Sequence, residues 1–157
     1  MSSPSSTELD AFVGVHISRI CGCGFHNDNE NHCAHFACHI LGLRFGATCR
    51  GMTGQGDRAD SASIRVQEVF ERCRRVGRWG DKPASILSGF IFVIAPGNIS
   101  IRRHTMSNVE NKHLGIFVGN TVWQYKNSER KVVKQTPEEF SRHYGPGYGI
   151  YYGEFPL

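Results

Sequence analysis

The stretch Lys112-His113-Leu114-Gly115-Ile116-Phe117-Val118-Gly119-Asn120-Thr121-Val122-Trp123-Gln124-Tyr125 limits most strongly how this chain folds. Its alternating residues read as two strands joined by a tight turn at Gly119-Asn120 or Asn120-Thr121, which makes an antiparallel hairpin. On the first strand His113, Gly115 and Phe117 share one face, and Leu114, Ile116 and Val118 share the other. Pairing parity carries Gln124 onto the His113 face and sends Tyr125 to the opposite one.

The rest of the chain supplies helices first and more strands later. Residues 9–20 are ambiguous between helix and strand, and residues 21–30 form a polar, Gly-rich loop. A helix is expected over 30–41, capped by Asn29 or Asn31 and ended by Gly42. Residues 43–60 read as a long loop. Residues 61–76 carry the clearest 3.6-residue period, with Ser61 or Ser63 as cap. The apolar run 90–95 is a buried strand, and Lys131–Gln135 and Gly149–Gly153 are shorter ones. Thr136, Pro137 and Glu139 spell a helix start. The expected class is α+β, with helices packed on a small antiparallel sheet. The 157 residues suit one domain, 1–157, in which residues 1–8 form a flexible tail.

Composition removes several function classes. Eighteen Lys plus Arg against 14 Asp plus Glu give a charge of +4, without the basic run or interleaved aromatics of a nucleic-acid binder. No apolar run is long enough to span a membrane. The first residues lack a secretory leader, so the expectation is a cytoplasmic protein unless a dedicated secretion system exports it. The six cysteines are expected to be reduced thiols, because a chain of this size needs no staples.

Chemistry concentrates in Asn31-His32-Cys33-Ala34-His35-Phe36. A cysteine in the first turn of a helix meets the positive end of the helix dipole, which favours thiolate, and free N–H groups that hold an oxyanion. His113 on the later strand is the candidate base, placed on the sheet face that receives this helix. Gln124 is the candidate third member, orienting the imidazole through its amide oxygen. Tyr125 is the weaker choice for that role.

These two segments resemble the nucleophile helix and the His-Val-Gly-Ile-Tyr-Val-Gly-Asn strand of the NlpC/P60 cysteine peptidases. Residues 90–93 are similar to the strand that precedes the histidine in that family. The resemblance covers about a third of the chain, in family order. It implies a papain-like core and cleavage of a peptide or amide bond in bacterial cell-wall peptides. Cys33 would be the nucleophile, His113 the proton shuttle and Gln124 the orienting residue, with the Cys33 N–H at the oxyanion. The substrate would be a peptide or peptidoglycan fragment, with no cofactor. An exported antibacterial effector with a cognate protein inhibitor is one setting for such an enzyme. His32 stands where the family has Asp or Asn, and the 97–111 segment is longer than usual.

Two other readings keep parts of this pattern. The Asn-His-Cys-Ala-His-Phe run also resembles the Asn-Cys-Glu-His-Phe motif of lecithin:retinol acyltransferase-like proteins, which act on lipids or acyl groups; there the cysteine follows the histidine in the chain. Separately, His32, His35 and His39 share a helical face behind a loop that carries Cys21, Cys23 and His26, a set of zinc-type ligands in a non-catalytic module. Cys-x-Cys is a poor match to the usual ligand spacings, so the expected site holds no metal.

Overall fold

Ser88–Ile94 has too few polar side chains for either of its faces to meet water, and it lies inside a six-stranded sheet. In the computed structural model, which describes residues 3–157, the strands are β1 (Val76–Arg78), β2 (Ser88–Ile94), β3 (Ile99–Ser100), β4 (Thr105–Met106), β5 (Lys112–Val118), β6 (Thr121–Lys126), β7 (Lys131–Gln135) and β8 (Gly149–Gly153). The large sheet runs β1-β8-β2-β5-β6-β7 with antiparallel neighbours, and β3 and β4 form a separate small hairpin. The helices are α1 (Ser6–Asp10), α2 (Cys33–Leu41), α3 (Cys49–Thr53), α4 (Val66–Arg72) and α5 (Pro137–Ser141). This is an α+β architecture, and no helix among the described residues is long and apolar enough to cross a membrane.

Alternation along β5 decides which layer each face meets. Leu114 and Ile116 join the core that holds α2 and α4, with Cys33, Phe36, Phe70, Trp123 and Tyr125. Phe117 and Val122 belong to a second core on the opposite face, where Phe140 of α5 packs. Helix α2 lies across β5 and β6. Gly42 ends α2 in the left-handed region at φ 66°, where a side chain would be strained.

Three stretches depart from the sequence expectation. Part of the expected tail is α1: Ser5 and Glu8 form a reciprocal capping box, and Leu9 is fully buried. Asp10 accepts the Trp123 indole N–H at 3.0 Å, and beyond α1 Val13 bridges Val132 on the outer edge of β7. Inside the expected 43–60 loop lies α3, capped by the Thr48 side chain. The expected helix over 61–76 shrinks to α4 at both ends. Before it, Ser63 bonds the Leu43 carbonyl and Ile64 the Ala47 carbonyl, so the backbone is already committed to the neighbouring loop. After it, Val76 pairs with Gly153 in the sheet. A helical period in side chains does not hold a helix when tertiary partners claim the backbone groups.

Candidate active site

Asn31 starts the site. Its Oδ1 accepts the Cys33 backbone N–H at 3.0 Å; α2 begins at Cys33, three residues later than expected, and its N-cap is His32, without a side-chain cap bond, rather than Asn29 or Asn31. Asn127, just after β6, holds the preceding loop. Its Oδ1 accepts the His32 N–H at 3.0 Å, and its amide donates to the Glu30 carbonyl. The N-terminus of α2 is therefore tied directly to the hairpin.

The Cys33 thiol is 1% exposed. Burial pushes it up to about 11, and this outweighs the backbone N–H groups of Leu114 and Ala34, the Lys112 charge and the Asn31 side chain, all of which favour thiolate. The helix-dipole activation expected from sequence is thus overridden by desolvation. The Cys33 N–H, expected at an oxyanion, is already occupied by Asn31. The Leu114 N–H lies past the end of the β5–β6 ladder, which runs from Val118↔Thr121 to Ile116↔Trp123.

His113 and Gln124 are brought together. Nε2 of His113 and Oε1 of Gln124 are hydrogen-bonded, and both residues are buried. With Gln124 accepting, the imidazole carries its proton on Nε2 and presents a lone pair at Nδ1. That Nδ1 is buried without a partner, so no hydrogen bond joins it to Cys33. The Gln124 amide donates onward to Gln135 at 2.6 Å. Burial and the nearby His143 lower His113 to about 3, which keeps it neutral.

The face assignment of His113 differs from the expectation. Its ring stacks on His143 at 4.1 Å and approaches Phe140 at 5.8 Å, on the α5 side, while α2 covers the Leu114 side. Leu114, Ile116 and Val118 of β5 face α2, and alternation therefore sends His113, Gly115 and Phe117 to the other layer. Cys33 meets His113 only through its neighbour Leu114, at the open end of the hairpin. Tyr125 faces away from His113, as parity requires; its hydroxyl accepts the Ile17 N–H at 3.2 Å.

A polar cleft of about 170 Å³ opens beside Cys33, lined also by Asn31, Arg65, Gln67, Asn108 and Lys112. Tyr144 donates its hydroxyl to the Lys112 carbonyl at 3.0 Å. Burial first, then the charge of a Cys33 thiolate, push its phenol up. Asn127, His143 and Tyr144 carry no sequence signal beyond lying next to strand β6 or helix α5.

A second cluster lies further along α2. One ligand atom from each of Cys21, His35, His39 and Cys49 falls within 4.8 Å of the others. His35, His39 and Cys21 are among the zinc-type ligands expected from sequence, whereas Cys49 lies in the stretch expected to be a loop. His32, Cys23 and His26 are not members of this quartet. The His-x3-His spacing on α2 was the available signal; Cys49 became visible only when α3 formed. Hydrogen bonding with the Cys21 thiol first, and with His39, holds the Cys49 thiol well below its usual range.

No protein-family model, no curated protein and no solved structure matches this chain.

Proposed function

We propose that the protein is a cysteine hydrolase of papain-like, NlpC/P60-like type that cleaves an amide bond in a cell-wall-type peptide. The observation that carries this reading is the unpartnered, buried Nδ1 of His113, held by Gln124 in the tautomer a general base needs, one residue from the N–H that faces the Cys33 sulfur. In this reading the Cys33 thiol gives its proton to His113 Nδ1 as the sulfur attacks the carbonyl carbon, which requires the open end of the hairpin to turn the imidazole from the α5 side toward Cys33 when substrate binds. The tetrahedral oxyanion takes hydrogen bonds from the Leu114 N–H and the Asn31 amide. Collapse breaks the C–N bond, His113 returns the proton to the leaving amine, and water hydrolyses the thioester to restore the thiol.

The cleft favours a short polar substrate. Its volume of about 170 Å³ and the polar side chains on its wall suit a short polar segment of a substrate better than a long acyl chain. Arg65 and Lys112 on its wall suit a carboxylate on the peptide.

Digestion of purified bacterial peptidoglycan, followed by chromatography of the released fragments, tests the reading. Wild type should release new amino termini, and Cys33→Ala and His113→Asn should lose at least about 10³-fold of that rate. Digestion that survives Cys33→Ala, in a folded variant, would remove the thiol from the mechanism.

A further inference from the structure

The cluster at Cys21, His35, His39 and Cys49 has the chemistry of a closed metal centre. Two thiols and two imidazoles are the set that zinc takes in structural sites. Metal–sulfur bonds of about 2.3 Å and metal–nitrogen bonds of about 2.0 Å in a tetrahedron separate the ligand atoms by roughly 3.3–3.8 Å. Cys49 Sγ and His39 Nε2 stand 3.7 Å apart, and the whole quartet lies within 4.8 Å.

The hydrogen bonds around the cluster select its protonation state. Nε2 of His32 donates to the Asn27 carbonyl at 2.7 Å, which leaves His32 Nδ1 as an acceptor. His35 Nδ1 then donates to His32 Nδ1 at 2.9 Å, and the lone pair of His35 falls on Nε2. That atom is buried and has no partner. A buried lone pair without a partner is unfavourable, and a cation in the quartet satisfies it. The sulfurs are also prepared: Cys21 Sγ accepts the Cys23 N–H and Cys49 Sγ accepts the Ala62 N–H, each at 3.3 Å. An imidazole oriented through its second nitrogen and thiolates that accept backbone N–H groups are outer-shell features of metal sites.

We propose that Cys21, His35, His39 and Cys49 bind one zinc(II) ion that fastens the 21–30 loop, α2 and α3 together. The ion takes both sulfurs as thiolates, and these two charges balance its own, so the centre is neutral. Four protein ligands complete the tetrahedron and leave no position for substrate, which makes the role structural. Cys23, whose thiol donates to the Asp60 carbonyl at 3.5 Å, stays outside the set.

The test is elemental analysis of the full chain purified without added metal, followed by chelator stripping and cobalt(II) loading. Expected are about one zinc per chain and, after loading, the visible bands of tetrahedral cobalt with thiolate charge transfer. Cys49→Ser and His39→Gln should retain under about a tenth of the metal, while Cys23→Ser and Cys33→Ala retain all of it. Wild type with neither zinc nor a tetrahedral cobalt spectrum, or with a Cys21–Cys49 disulfide, would overturn the proposal, as would loss of metal from Cys23→Ser. The wild-type spectrum decides even where a ligand variant fails to fold, and Cys33→Ala separates this proposal from the hydrolase reading.

Discussion

Oε1 of Gln124 is the hydrogen-bond partner of the His113 imidazole, and the Gln124 amide is in turn held by Gln135 at 2.6 Å. Gln124→Leu keeps most of the volume and removes the acceptor. The buried imidazole then loses its partner, so stability should fall by about 1–3 kcal/mol, read as a lower urea midpoint. If His113 is the base, kcat should fall by about 10²-fold at pH 7 as well. A destabilised variant that keeps full kcat would make Gln124 a packing residue only.

His113 ties stability to acidity. In the fold it stays neutral down to about 3, whereas an unfolded imidazole takes up a proton near 6.5. Between these values the unfolded state binds more protons, so stability is intact above pH 6.5 and drains away as pH falls toward 3. His143, stacked on the ring, is lowered by its own burial and acts in the same direction. Urea unfolding at pH 7, 5.5 and 4.5 should show a shallower decline for His113→Asn than for wild type. Equal slopes would mean that another group controls the acid limb.

His32 is the outer partner of the proposed metal centre, through its 2.9 Å contact with His35. His32→Phe should weaken zinc binding by about 10–100-fold in competition with a chromophoric chelator, without abolishing it. Unchanged affinity would show that His35 is oriented by packing alone.

At Thr136 a full capping box starts α5, and Phe140 of that helix is buried under the sheet. Thr136→Ala removes the side-chain acceptor for the Glu139 N–H and should cost about 1 kcal/mol. For a chain of this size that lowers Tm by roughly 2–4 °C, measured by calorimetry.

Where the local code and tertiary pairing agree, the sequence is legible. The hairpin, β7, the α5 cap and β8 occur where alternation and capping chemistry place them, and turn parity alone puts Gln124 on the His113 face; their hydrogen bond is a diagonal one that the assembled sheet adds. Legibility fails where backbone groups find distant partners. Ser63 and Ile64 look helical by period but bond to the 43–47 loop. Strand alternation gives the two faces of β5 without saying which one α2 covers; the packing of Leu114 and Ile116 decides that. Cys49 was unreadable as a ligand because it is 28 residues from Cys21 in sequence and its helix is only five residues long. The burial that raises the Cys33 thiol is likewise a property of the assembled core, invisible in a helix considered alone.

Val132 uses both of its outward backbone groups on the N-terminal segment: its carbonyl accepts the Gly14 N–H at 2.8 Å and its N–H donates to Val15 at 3.1 Å. The last strand of the sheet therefore does not offer a free row of donors and acceptors at its centre. A chain trimmed to begin at residue 16 would bare that row and provide a template for strand addition between molecules. The short N-terminal helix and the turn after it thus act as a guard against self-association as well as a part of the core through Leu9.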